Sequence, residues 1–503
     1  MPVAKVCSVA PIGFDGEIIE VESDITNNLP SMQIVGLANK SIDEARERVK
    51  SALTNSLLSY PTKRITVNLA PAEIPKNGTH YDLPIALSIL VSSGQLRQDD
   101  VKASAFIGEL SLDGMVRPIS GVVSMAETAM RAGFSKIYVP SANSAQASIV
   151  SGITIFGITS LKELYLHLKG EMILTPVRSS LVAIPSDHNG PTLDDVLGQA
   201  QAKRAMVIAA AGRHNILLSG SPGAGKSMLA KVLISLLPNL SSDEQLEVTK
   251  LHSLAGETTE DVVTSRPFRS PHHTSSRISM IGGGTNPLPG DISLAHLGVL
   301  YLDEMPEYPR SVLEALRQPI EDKKVTIRRA NGTATYPSDF MLVGTMNPCP
   351  CGYYGDQTKE CKCNNNQILA YQQRISGPML DRIDIHVKVS RVPSKELLPR
   401  ETSTRKQHLL AVGEINNAIK MQHDRYGCST KSNASLASSD IRSKARPTEK
   451  SLALLAQASD RLSLSARSYF KIIKVARTIA DLADSKDIEI EHMSEALQYR
   501  QTT

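Results

Sequence analysis

The stretch Gly220-Ser221-Pro222-Gly223-Ala224-Gly225-Lys226-Ser227 constrains this chain more than any other. It fits GxxxxGK[ST], in which glycines let successive backbone N–H groups close on phosphate oxygens. Residues 215–219 before it read as a buried strand, and residues 228–234 after it as a helix. The pattern needs that context, because the helix N-terminus adds a favourable dipole for an anion. Lys226 is placed to reach the β- and γ-phosphates of ATP, and the Ser227 hydroxyl to ligate Mg2+. An α/β fold around a phosphate-binding loop is expected.

Two further strands carry polar ends. Residues 298–304, Gly-Val-Leu-Tyr-Leu-Asp-Glu, read as an apolar strand closing on two carboxylates. In an open α/β sheet such an end faces the ligand crevice. Asp303 suits a Mg2+ site, and Glu304 suits a general base for the attacking water. An ordinary acidic turn is the competing reading, weakened by the loop about 75 residues upstream. Residues 341–347 end in Asn347, which would orient water near the γ-phosphate or simply form a turn before Pro348. Arg382, in Leu380-Asp381-Arg382-Ile383-Asp384, suits charge stabilisation in phosphoryl transfer, with a surface salt bridge as the alternative.

The 503 residues suggest about three domains. Alternating strand and helix patterns over residues 1–170 indicate a separate α/β unit. In it, Ser41 to Glu44 reads as a capping box, and Ile42, Ala45, Val49 and Leu53 define a helix reaching about Leu58. Asp82 reads as an N-cap. Residues 171–193, rich in proline and serine, read as a linker. The nucleotide domain follows over 194–390, and a helical lid domain over 391–503. Hydrophobic and charged contents of 41% and 21% suit a soluble globular chain. No apolar run approaches the ~20 residues of a membrane span, and the N-terminus lacks a signal-peptide core, so a cytoplasmic location is expected. A net charge of +4 permits nucleic-acid binding. With 4% aromatic residues and no Trp, a mode that tracks the phosphate backbone is favoured over base stacking.

Lys323-Lys324-Val325-Thr326-Ile327-Arg328-Arg329-Ala330-Asn331-Gly332 opens a β-hairpin, with Asn331-Gly332 as a type I′ turn. Lys323, Lys324, Arg328 and Arg329 on one arm suit contact with DNA phosphates; a solvated charged hairpin is the alternative. Residues 281–290 are too rich in Gly and Pro for a strand or helix interior. Arg266, Arg269, His272 and His273 form another basic cluster, open to DNA or to a neighbouring subunit. Cys349, Cys351, Cys361 and Cys363 read as a structural Zn2+ site, with free thiols or a redox switch as alternatives.

These motifs carry a resemblance. Residues 196–205, 266–273, 293–304 and 374–384 resemble the magnesium-chelatase-like AAA+ ATPases, and the likeness extends to a bacterial group of branch-migration helicases linked to natural transformation. It covers nearly the whole chain. It implies a hexameric ring with ATP bound between subunits. Arg382 then corresponds to the arginine finger and Arg467 to the sensor-2 arginine of the lid, and Arg374 could also act in trans. Residues 281–290 correspond to the helix-2 insert and 323–336 to the pre-sensor-1 hairpin, both pore elements. Partners implied are branched or duplex DNA and proteins of a recombination pathway.

Residues 75–82 and 107–123 resemble the Lon-protease-like, ribosomal-S5-type fold. The protease's Ser position corresponds to His80 or a near neighbour here and its Lys position to Val123, and valine takes no proton, so a non-proteolytic domain is expected. Lys63, Arg64, Lys76 and His80 are candidates for a DNA-binding face or for plain solvated surface. The leading expectation is an ATP-driven DNA translocase promoting branch migration. The alternative is the ATPase subunit of a magnesium-chelatase-type complex.

Overall fold

The computed structural model describes residues 3–36, 40–74, 76, 78–178, 190–258, 262–284, 287–329, 332–356, 358–392, 406–462 and 464–500. Two sheets organise it. The first has seven strands, in the spatial order Ser31–Val35, Arg64–Ala70, Asp15–Thr26, Ala4–Ile12, Ser104–Phe106, Lys136–Pro140 and Thr154–Ile158. Its long antiparallel core alternates sides: Val6, Ala10, Ile19 and Val21 face the helices Lys40–Asn55 and Asp82–Ser92, and Val9 faces the helix Val122–Arg131.

Local expectations here need adjusting. The first helix ends at Asn55, short of Leu58, because Leu57 turns to a positive φ of 61°. Its expected capping box includes Ser41 and Asp43, whose side chains lie outside the described set. Asp82 is the first helical residue, with Tyr81 as N-cap. Its carboxylate takes two hydrogen bonds from Arg48 instead, at 2.7 and 3.0 Å. Lys76 and His80 are buried, with Lys76 bonded to the Pro71 carbonyl, so neither joins Lys63 and Arg64 on a surface. Part of the expected linker, 179–189, lies outside the described residues.

The second sheet has five parallel strands, in the order Phe268–Arg269, Val299–Leu302, Met341–Met346, Ile216–Ser219 and Ile385–Lys388. Both faces are covered, which is why the strands are continuously apolar. Ile216, Leu218, Val299, Tyr301 and Val343 pack with the helices Ala200–Gly212, Lys226–Leu236, Lys406–Tyr426 and Ala466–Leu482. Leu217, Leu300 and Leu342 point the other way, toward Ser242–Ala255 and the hairpin. Among the described residues no helix is long and apolar enough to cross a membrane.

The two units are joined through the helix Ser242–Ala255. The Gly121 N–H donates to the Ser253 carbonyl at 2.9 Å, and Ser253 Oγ donates to Gln146 at 2.7 Å. Lys250, buried, pairs with Glu127 at 2.5 Å and Asp15 at 2.9 Å.

Candidate nucleotide site and its relatives

Strand order assembles the site. The strands ending at Leu302, Met346 and Ser219 are adjacent and parallel, so Asp303, Asn347 and the loop 220–227 emerge side by side. The Gly220 N–H donates to the Met346 carbonyl at 3.2 Å, tying the loop to the Asn347 strand. A Cβ on Gly220 would lie 2.2 Å from the Val389 carbonyl oxygen, so only glycine fits. Gly225 caps the helix Lys226–Leu236 at a φ of 90°, a conformation glycine adopts without strain. Ser221, Pro222, Gly223 and Ala224 complete the turn.

Lys226 Nζ donates to the carbonyls of Gly220 at 2.6 Å and Ser221 at 3.1 Å, and to Asn347 Oδ1 at 3.1 Å. Burial pulls its ammonium below the usual lysine value, opposed by the nearby Asp303 and Glu304. Asp303 Oδ1 accepts from Tyr301 at 2.7 Å and Thr345 at 2.6 Å. Thr345 Oγ1 in turn accepts from the Glu304 N–H at 2.9 Å. Glu304 has a φ of 49°, a strained conformation for a glutamate and one that clusters at functional sites. Asn347 Nδ2 lies 3.5 Å from Glu304 Oε1. The Asp303 carboxylate and Ser227 hydroxyl are both oxygen donors beside a phosphate cradle, the donor type Mg2+ takes. Tyr301 and Thr345 escaped sequence reasoning. Their signal was present: each is a polar group two residues before a functional strand end, hence on the same side of the strand.

Two expected site residues are elsewhere. Arg382 and Arg467 line a cavity of about 400 Å³ together with Arg213, Asn215, Phe340 and Asp384. Those last residues stand at the starts of the parallel strands, so the cavity is at the end opposite the phosphate loop. Arg467, in the C-terminal helical region, therefore does not reach its own chain's phosphate loop. That region packs along the sheet face, against Ala200–Gly212, and this docking sends Arg467 to the far end. Glu321 holds both arginines: its carboxylate is 2.9 Å from Arg382 and also pairs with Arg467. Arg374 pairs with Glu307 at 2.8 Å.

The hairpin forms as Lys324–Arg329 against Gly332–Pro337. Its turn residues 330 and 331 lie outside the described set. Val325, Ile327, Ala334 and Tyr336 are buried, while Lys324, Arg328 and Arg329 are exposed. Lys323 departs from that row: it precedes the strand and pairs with Asp339 at 3.1 Å. The insert 281–290, expected to lack regular structure, contains an antiparallel pair of Gly282–Gly283 with Leu288–Pro289. The arginines of the other basic cluster are spent internally. Arg266 donates to the carbonyls of Pro238 and Leu297, and Arg269 pairs with Asp291 at 2.7 Å and Glu257 at 2.9 Å. Val123 is fully buried in an apolar cluster. Burial lowers the His80 pKa to about 4, leaving the ring neutral.

A glycine-rich GxxxxGKS loop, a carboxylate pair and an asparagine at the ends of adjacent parallel strands, followed by a helical region, define a P-loop ATPase of the AAA+ class. Three family models agree: magnesium chelatase, subunit ChlI, over residues 192–397; subunit ChlI of Mg-chelatase over 21–143; and the ChlI C-terminal model over 411–500. Competence protein ComM of Haemophilus influenzae is 40% identical over 506 residues, spanning 99% of this chain and 98% of that protein. YifB of Escherichia coli K12 is 41% identical over 507 residues, spanning 99% and 97%. The chain belongs to the ComM family of magnesium-chelatase-like AAA+ proteins. Membership implies ATP and Mg2+ as ligands and ATP hydrolysis as the activity. The chain is also 26% identical to Lon protease of Mycolicibacterium smegmatis over 142 residues, 27% of this chain and 18% of the protease.

Proposed function

We propose that this protein is an ATP-driven DNA translocase that promotes branch migration in recombination during natural transformation, working in the cytoplasm as a hexameric ring. ATP is held by residues 220–227, with Mg2+ held by Ser227 and Asp303. Glu304 takes a proton from the attacking water, and Asn347 orients that water. Arg382 and Arg467 complete the site of the neighbouring subunit. Zn2+ on Cys349, Cys351, Cys361 and Cys363 is structural. Residues 1–170 are a non-proteolytic Lon-like domain, 194–390 the ATPase core and 391–503 the helical domain.

The observation that carries this reading is Glu321. It grips both arginines, and it lies two residues before Lys323, where the chain enters the basic hairpin. A change at a neighbour's γ-phosphate that draws on Arg382 or Arg467 is thereby relayed into the hairpin. The hairpin presents Lys324, Arg328 and Arg329 to DNA phosphates. The relative named for competence supports DNA as the substrate. The second reading, an ATPase subunit of a metal chelatase, is favoured by the descriptions of the family models; it gives the exposed cations of the hairpin no task.

Replacing Lys324, Arg328 and Arg329 by glutamate is expected to weaken DNA binding and to flatten its log–log salt dependence by about 2 to 3 units, since each phosphate contact contributes about 0.9. Binding isotherms at several salt concentrations measure this. Lys323→Glu alone is expected to change the slope less, because Lys323 is held by Asp339. Unchanged binding in the triple variant would remove the hairpin from the DNA site.

A further inference from the structure

The four-cysteine loop stands against the phosphate loop. Cys349 Sγ is 3.4 Å from Cys351 Sγ and 3.6 Å from Cys361 Sγ, and the last two are 3.6 Å apart. With Cys363, all four sulfurs lie within 4.8 Å of one another. A disulfide requires about 2.05 Å. Four thiolates at about 2.3 Å from Zn2+ form a tetrahedron with edges of about 3.8 Å, close to the spacing seen.

The loop these sulfurs gather touches Ser221 and Pro222 at two points, and Arg391 bridges it to Pro222. Gly352 approaches so closely that a Cβ there would lie 2.6 Å from Pro222 Cδ. The Ser221 hydroxyl bonds to the Asp356 carboxylate, which is held well below the usual carboxylate range. Arg391 Nη2 donates to the Pro222 carbonyl at 3.1 Å, its Nε is 3.7 Å from Asp356, and its guanidinium is 5.7 Å from the Tyr353 ring centre. At its start the loop follows Asn347, which accepts from Lys226.

We propose that metal in the four-cysteine site sets the nucleotide affinity of this chain. Zn2+ fixes the loop at its four cysteines, and Gly352 and Asp356 of that loop, with Arg391 packed across it, hold Ser221 and Pro222 in the shape that closes on phosphate. Without the metal, the loop must be ordered each time nucleotide binds, and that cost is subtracted from affinity. Linkage makes the effect reciprocal: bound ATP must tighten the metal by the same factor. The proposal rests on reading residues 220–227 as the ATP site.

The test uses the full chain in three forms: zinc-loaded, zinc-stripped and reloaded. Metal content is measured by atomic emission, affinity with a fluorescent ATP analogue, and zinc release with a colorimetric chelator. About one zinc per chain is expected, with stripping weakening nucleotide binding about tenfold, within the usual range of coupling between sites, and reloading restoring it. ATP is expected to slow zinc release. Arg391→Ala is expected to keep its zinc and still bind the analogue about tenfold more weakly, which separates coupling from loss of folding. Equal affinity in stripped and loaded protein, zinc release indifferent to ATP, or less than half an equivalent of zinc overturns the proposal. If zinc-loaded protein binds no nucleotide at all, the reading of residues 220–227 fails instead, and this proposal falls with it.

Discussion

Lys226→Ala is expected to abolish ATP binding and hydrolysis, and Glu304→Gln to abolish hydrolysis while ATP stays bound. The two differ because the residues meet different parts of the reaction. Lys226 is buried at the centre of the loop, its ammonium held by Gly220, Ser221 and Asn347. Alanine removes the cation proposed to meet the β- and γ-phosphates from within the chain, in a place where burial makes the charge count for most. Glu304 has its backbone anchored on Thr345 and its carboxylate near Asn347. Glutamine keeps the shape and removes the base, a loss of about 10²- to 10⁴-fold. Equilibrium binding of a nucleotide analogue and steady-state phosphate release separate the outcomes. A Glu304→Gln protein that hydrolyses ATP at the normal rate would take the base role away from that residue.

Arg382→Ala and Arg467→Ala are each expected to lower the ATPase rate by about 10³-fold or more, the usual worth of an arginine supplied to a phosphoryl-transfer site. Nucleotide binding by the isolated chain should change little, because neither residue is near its own phosphate loop. Their cavity carries Arg213, Lys323, Lys471 and Lys474 as well, against the acids Glu321, Asp339 and Asp384. Such an excess of cations suits a polyphosphate brought by another subunit. The decisive form of this prediction mixes two inactive proteins, Lys226→Ala and Arg382→Ala. In a ring assembled at random, roughly a quarter of the interfaces join an intact phosphate loop to an intact arginine, so a partial rate should return. Mixtures no more active than either variant alone would contradict a shared site.

The parts of this site that are contiguous in sequence were legible. The phosphate loop, the Asp303–Glu304 strand end and Asn347 each announce themselves by an apolar run closing on specific polar residues, and the parallel order of the strands then brings them together. The hairpin was legible through alternation, since Val325 and Ile327 face inward while Lys324 and Arg328 face out. Positions fixed by long-range docking were not legible. Nothing near Arg467 in sequence says which end of the sheet it reaches: the helix Ala466–Leu482 packs on Ala200–Gly212, about 270 residues earlier, and that contact decides it. Lys323 was read with its cationic neighbours until Asp339, across the base of the hairpin, claimed it. Arg391 had no motif at all; its role comes from Pro222, Asp356 and Tyr353, which folding alone assembles around it. Asp82 followed the local capping rule less strongly than it followed the Arg48 guanidinium on another helix.

The most direct measurement of the central claim is the ATPase rate without DNA and with linear, forked and four-way DNA, for the unaltered chain and for Glu304→Gln. A DNA translocase predicts a rate raised by DNA, most by the four-way junction, and absent in the variant under every condition. A rate indifferent to every form of DNA would contradict it.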